Sequence, residues 1–426
     1  MSASDIFRKI RDFLVSLKLT VVLLVLSMLL VFFATLDQVN LGIWAVQQKW
    51  FHSFFVYGTL SNGVSIPLFP GGYLVGSLLF LNLVAGHIYR FRLPVKKIRL
   101  LLAQPATDDR AGEIGQLILD SLKKFFLLIT HLGLLMLLVG IFFAGIWQED
   151  YSVILNQGQT ATYAESFNRN ELAIIDTTAP DRDIVTTIPE GLLARGGSIQ
   201  HRSLPFRVTI RAYYPNSALQ MRDQTATAAS SAFAPPLADV GVGAQVAIVP
   251  LDITNRSGEK NVPSAYLSLT GADGAPLGTW LVSTDLDPQT FTYQGKTWSL
   301  ALRPQRRYFD FSLQLLKVTS DFYLGSDIPK NYASRVLLRD ANDPNGREVV
   351  IYMNNPLRHA GLTFYQSNVR NPAFSFDSGF QVVSNPVSKL PYIACLLTGL
   401  GLLFYFLISL AGFVSTRKSK NLKAEA

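Results

Sequence analysis

Reactive chemistry is scarce in this chain of 426 residues. Its one cysteine, Cys395, sits inside an apolar run, and a single thiol makes neither an internal disulfide nor a CxxC redox pair. The chain is therefore not itself a thiol oxidoreductase. Five histidines are present, but His201 and His359 stand without metal-ligand spacing or acidic neighbours in the sequence, so no metal site is expected from them. A GxSxG elbow, a phosphate-binding Walker loop, an HExxH pair and a paired-carboxylate arrangement are all missing, which leaves the common hydrolase and nucleotide-handling classes without a foothold. Charged residues make up only 16% of the chain. The net charge of +8 does not point to nucleic acid, because lysine and arginine crowd the ends of apolar runs and form no basic stripe interleaved with aromatics.

The apolar runs are what the composition leaves. Mean hydropathy is positive, and four stretches are long enough for a bilayer, which needs ~20 residues at 1.5 Å rise. Residues 1–147 are read as a membrane region with spans at about 17–36, 70–90 and 125–147. Residues 148–388 are read as a soluble, β-rich domain, 389–414 as a fourth span and 415–426 as a basic tail. The first run has a basic start (Arg8, Lys9, Arg11, Lys18) but is too long, and too poor in a cleavage site, for a signal peptide. The loop from Asp37 to Pro70 carries Lys49 and the aromatics Trp44, Trp50, Phe51, Phe54 and Phe55, as an interfacial segment does. His52 is read as interfacial there, not as a ligand. Gly72 and Gly76 form a GxxxG that allows close helix approach. The cluster Arg90, Arg92, Lys96, Lys97 and Arg99, together with Arg417, Lys418, Lys420 and Lys423 at the end, assigns the 90–124 loop and both termini to the cytoplasm. Residues 148–388 then lie outside, in the periplasm of a bacterium or the equivalent space of a plastid.

His131 lies inside the third run, FFLLITHLGLLMLLVGIFFAG, about two turns from its cytoplasmic end. An ionisable side chain at membrane depth marks either a functional site or a helix-packing hydrogen bond. His87 lies at comparable depth on the preceding, antiparallel run and reads first as a residue snorkelling to the headgroups. Alternatively the two imidazoles face one another, and neutral imidazoles are good axial ligands for haem iron. Gly133, Gly140 and Gly145 leave room either for a bulky planar group or for a neighbouring helix.

Beyond Tyr151 the pattern changes to period two. Phe206, Val208 and Ile210 alternate with Arg207, Thr209 and Arg211, and Phe309, Phe311, Leu313 and Leu315 share one face. Further strands are expected at 334–339, 347–353, 362–367 and 379–384. The 225–243 stretch is too poor in large apolar side chains to pack and is expected to be a loose loop.

Several segments resemble the ResB family of System II cytochrome c biogenesis. They are His131-Leu132-Gly133 within the third run, QEDYSVILNQGQT after it, DIPKNYASRVLLRD (327–340) and, most diagnostically, MNNPLRHAGLTFYQSN (353–368). The 216–305 region contributes little. The resemblance implies a multi-pass protein of the bacterial cytoplasmic (inner) membrane, with four transmembrane α-helices, three N-terminal and one C-terminal, and a large extracytoplasmic β-rich domain. It implies a non-autonomous subunit of a haem lyase, the System II cytochrome c synthase. That subunit carries haem b outward with a ResC/CcsA-type partner and attaches it to apocytochrome c, alongside a thioredoxin-like thiol reductase and membrane lipid. It also implies that His131 is an axial ligand of haem iron; His87, at matching depth on the preceding run, joins it as a candidate cofactor-binding residue on the strength of that placement alone. The partner's WGxxWxWD motif is absent; Trp44 and Trp50 do not fit it. The alternative is a membrane chaperone or scaffold for cytochrome assembly that does not touch haem. A transporter of another substrate fits poorly, because the spans are few and show no inverted repeat.

Overall fold

Four helices carry the apolar runs: α2 (Leu17–Val46), α3 (Gly72–Arg90), α4 (Asp108–Trp147) and α6 (Leu390–Glu425). Each contains a stretch long and apolar enough to cross a membrane: Leu17–Ile43, Gly72–Tyr89, Ile114–Trp147 and Leu390–Val414. A short helix, α1 (Ala3–Leu14), precedes them. The computed structural model describes residues 3–60, 63–90, 108–222, 238–254, 260–324, 329–370 and 377–425. It forms two units, Met1–Gln148 with Asn385–Ala426, and Glu149–Ser384. Of the basic cluster after α3, residues 91–107 lie outside the described part of the chain.

Within the first unit the helices are tied by small residues and a few polar contacts. α4 and α6 pack along their lengths. A side chain at Gly133 would meet Thr398 and the Ala394 carbonyl, and one at Gly401 would meet Thr130 and the Phe126 carbonyl. The two backbones are therefore in direct contact, as small residues permit at helix seams. Asn82 is buried on α3, accepts a hydrogen bond from the Thr20 hydroxyl at 2.6 Å and donates to the Leu14 and Ser16 carbonyls. Those carbonyls sit where α1 gives way to α2, so one amide satisfies the groups the helix break frees. The Gly72 and Gly76 pair does not form a helix seam. Gly72 lies against the backbone of Phe51, and Gly76 faces open space.

The stretch after the first span is folded into regular elements. α2 continues to Val46, with a break at Gly42, whose φ of 74° suits glycine. A π-helical turn (Gln47–Phe51) follows, then a hairpin of β1 (Phe55–Thr59) and β2 (Ser65–Pro70). Trp50 is buried against Phe33 and Phe69. Its indole N–H and the Lys49 ammonium both donate to Asp37 Oδ2, at 2.8 and 2.6 Å.

The second unit is made of β3 (Glu149–Asn156), β4 (Thr160–Asp176), β5 (Ile184–Pro189), β6 (Gly197–Ile199), β7 (Phe206–Tyr214), β8 (Ser217–Met221), β9 (Val246–Pro250), β10 (Ser264–Gly271) and β11 (Pro276–Ser283). The order continues with β12 (Gln289–Tyr293), β13 (Lys296–Phe322), β14 (Pro329–Asp340), β15 (Asp343–Tyr352), β16 (Leu357–His359), β17 (Leu362–Arg370) and β18 (Asp377–Ser384); one short helix, α5 (Glu190–Arg195), follows β5. The main sheet runs β15-β14-β13-β4-β3-β18-β17-β16, with β12 on β13 and β5 on β4. A second sheet runs β11-β10-β7-β6, and β8 pairs with β9.

Two cores divide this unit, and the long strands β13 and β4 serve both. Trp298, Leu300, Leu302, Leu172 and Ile174 pack with Phe206, Val208, Leu267 and Trp280 in one. Phe311, Leu313, Leu315, Ala161 and Ala164 pack with Val336, Phe364, Phe380 and Val382 in the other. The register between β13 and β4 shifts from Tyr308↔Tyr163 to Leu313↔Ala161. A near-buried ion pair, Arg303 on Glu171 Oε1 at 3.1 Å, joins the same two strands. In the second core Gln366 donates to Ser378, whose hydroxyl meets that of Ser334, fully buried.

Part of the expected loose loop is packed. Residues 223–237 lie outside the described chain, but Ala238 is buried and Gly241–Ala244 forms a 3-10 turn. Small size is what lets this segment pack, because Gly241 and Gly243 lie directly on Trp280 and Leu281.

Candidate functional site

α3 and α4 bring His87 and His131 together. Their ring centroids are 4.8 Å apart with planes at 73°, an edge-to-face contact. Both rings are half-buried. His87 Nδ1 lies 2.7 Å from the Leu83 carbonyl one turn back on its own helix. A carbonyl only accepts, so this nitrogen carries the hydrogen and the neutral ring presents its Nε2 lone pair. An imidazole anchored through one nitrogen to a carbonyl is how metal-binding histidines are held in orientation.

The surroundings separate the glycines by role. Gly133 and Gly140 face α6, where an added Cβ would meet Thr398 and Leu390. They serve a neighbouring helix and leave no room for a planar group. Open space lies instead at Gly86, beside His87, where a Cβ would meet nothing within 4 Å. α3 also touches α4 far more sparingly than α6 does, so the histidine seam is the less closely packed of the two.

Two imidazoles on opposite faces of one iron, each with a bond of about 2 Å, hold their nitrogens roughly 4 Å apart and their ring centres farther still. Centroids at 4.8 Å in edge contact leave no such gap. The pair as arranged therefore suits one histidine as ligand with the other as its neighbour.

His52 is a different case. It stacks on Tyr73, with ring centroids 5.7 Å apart, and the Gln48 amide nitrogen lies 3.3 Å from its Nδ1. An amide N–H donates, so His52 accepts there and holds its hydrogen on Nε2, the opposite tautomer to His87. His201 is exposed and receives the Ser203 N–H. His359, expected to have no acidic partner, has one: its Nε2 is 3.2 Å from Asp340 Oδ2, with Phe311 against the ring. The two residues are 19 apart in sequence and meet only because β14 and β16, at opposite regions of the sheet order, come together. Among the described residues no group of three or more His, Cys, Asp or Glu side chains could hold a metal ion.

Residues 289–376 match the family model described as ResB-like. The chain carries a ResB-like segment. The match spans β12 to β17, including the 327–340 and 353–368 stretches on which the sequence resemblance rested. The chain is also 29% identical over 129 residues to Protein NrfI of Wolinella succinogenes. That alignment takes in 30% of this chain and spans only 14% of the relative's length. The ResB-like match covers about a fifth of the chain and does not reach His87 or His131.

Proposed function

We propose that this chain is a membrane subunit of cytochrome c biogenesis that takes haem as cargo and ligates its iron through His131. The observation that carries the reading is the contact of His131 with His87 across the loosely packed α3–α4 seam. Ligation would use a neutral nitrogen lone pair in an apolar layer, where water does not compete for the metal. His87, in edge contact, orients the His131 ring, and the second axial position is left to a ResC/CcsA-type partner. The helices cross the cytoplasmic membrane with both termini inside and the β-rich unit outside, in keeping with the basic residues after α3 and in the C-terminal end of α6. In this arrangement the histidine pair lies toward the inner side, where haem is made available, and the β unit faces apocytochrome c.

The test is His131→Ala in the full-length protein, co-expressed with its partner. The variant should insert at normal level but lose bound haem and cytochrome c maturation, with exogenous imidazole restoring part of both. His87→Ala should be milder. Wild-type haem content in the His131→Ala protein would overturn the ligand role.

One observation favours a second reading. The ResB-like match lies wholly in the β-rich unit. A scaffold that holds partner or apocytochrome through that unit, without touching haem, would leave every histidine variant silent.

A further inference from the structure

The short helix α1 differs from the four long ones because its apolar side chains keep to one side. At about 100° per residue, Ile6, Phe7, Ile10, Phe13 and Leu14 fall within an arc of about 120°. Lys9 and Arg11 stand just beyond its two edges, and Asp5, Arg8 and Asp12 take the opposite side. Ile6, Phe7, Ile10 and Phe13 are 45, 63, 52 and 59% exposed, so the described residues leave most of the apolar arc uncovered.

The protein sets which way this arc faces. Asn82 of α3 donates to the Leu14 and Ser16 carbonyls, so the break between α1 and α2 is a satisfied corner and not a frayed end. One turn earlier on α1, the Arg11 guanidinium carbon lies 5.7 Å from the centre of the Tyr89 ring near the end of α3. The first stretch long and apolar enough to span a membrane opens at Leu17, three residues after Leu14. A helix about 18 Å long, at 1.5 Å per residue, joined there lies either along the headgroup layer or out in water. In water its four large apolar side chains would stay exposed.

We propose that α1 lies along the inner headgroup layer of the bilayer that α2 enters, its apolar arc at the acyl boundary and Lys9 and Arg11 at the lipid phosphates. Helices with an apolar side and a basic side take this position at interfaces. The ion pairs Arg8–Asp5 (3.2 Å) and Arg11–Asp12 (2.6 Å) are exposed and contribute little in water, so a phosphate can replace Asp12 on Arg11. Cations at both edges of the arc, and the immediate continuation into a span, favour lipid over a groove in a partner protein. The inference rests on the reading that α2 crosses the membrane from the inside, and not on haem; its failure leaves the His131→Ala haem measurement untouched.

The test uses full-length protein in nanodiscs, with Cys395→Ser and one new cysteine that carries an environment-sensitive fluorophore. At Ile10→Cys the label should be quenched by a shallow doxyl lipid and not by aqueous iodide. At Arg8→Cys, on the opposite side, the order should reverse. Phe7→Cys repeats the apolar position should Ile10→Cys fail to fold. Adding Phe7→Gln and Phe13→Gln to the Ile10→Cys protein should raise iodide quenching severalfold. In that weakened protein, replacing about a third of the zwitterionic lipid by phosphatidylglycerol should increase the seated-to-free ratio about fivefold or more. Lys9→Gln with Arg11→Gln should remove the gain. Iodide quenching at Ile10→Cys, shielding there from both quenchers (the mark of a protein cover), or equal lipid quenching at Ile10→Cys and Arg8→Cys would overturn the proposal. So would a gain from anionic lipid that survives the loss of both cations.

Discussion

Gly133→Ala tests what the glycines of α4 are for. An alanine Cβ at this position would run into Thr398 Oγ1 and would lie 2.6 Å from the Ala394 carbonyl oxygen and 2.9 Å from the Thr398 nitrogen. The hydroxyl can rotate away, but the carbonyl and the amide nitrogen belong to α6, and Ala394 is fully buried. The helices must move apart, and overpacking of this kind costs about 1–3 kcal/mol. Replacing glycine by alanine inside a helix returns roughly 0.5–1 kcal/mol. Because the contact is with backbone atoms, the upper part of that range applies, and the net expectation is a loss approaching about 2 kcal/mol. Gly86→Ala is the control, because its Cβ meets nothing and only the helix gain of roughly 0.5–1 kcal/mol remains. Thermal unfolding of both purified variants in one detergent decides the matter. A Gly133→Ala protein as stable as wild type, or a Gly86→Ala protein equally destabilised, would refute the assignment of these glycines.

Three further outcomes concern the β-rich unit. Arg303→Met should destabilise it by about 3–5 kcal/mol by leaving Glu171 buried without its partner, and Arg303→Met with Glu171→Met should recover most of the loss in a denaturant titration. The hydrogen bond from Lys296, helped by Thr178, holds the Asp176 carboxyl down at about 2. Its folded pKa is depressed below the ordinary value of about 3.9, so its contribution is present above pH ~4 and lost as pH falls toward ~2. Lys296→Met should flatten unfolding stability across that window, and an unchanged acid profile would contradict the assignment. Gln366→Ala should lower stability by about 1–3 kcal/mol, because it removes the amide that donates to the Ser378 hydroxyl in the core; partner copurification lost at unaltered stability would point instead to an interface.

The long-range outline could be read in the sequence because hydropathy and period-two alternation are local signals. The four apolar runs became helices, and the alternating faces of 206–211 and 309–315 became buried faces of β7 and β13. The two histidines at matched depth on successive runs meet in contact. What escaped depended on context. The charged stretch before Phe125 looked like a loop, yet α4 begins at Asp108, because an amphipathic sequence with acidic residues in its first turn extends a helix at little cost. The order within the segment after residue 36 was not legible, because Asp37 gathers Lys49 and Trp50 from residues 12 and 13 positions away. Gly133 carried no mark of which neighbour it faced, and only the position of Ala394 and Thr398 assigns it to α6. The His359–Asp340 pair was invisible for the same reason, since strand order is a property of the sheet and not of either strand.

The most direct measurement of the central claim is the absorption spectrum of the full-length wild-type protein, purified with its membrane partner, beside that of the His131→Ala protein. A haem Soret band in the wild type that is lost or shifted in His131→Ala, and partly restored by imidazole, is the predicted result. A wild-type complex that matures cytochrome c without any Soret band, or a band identical in the two proteins, would contradict it.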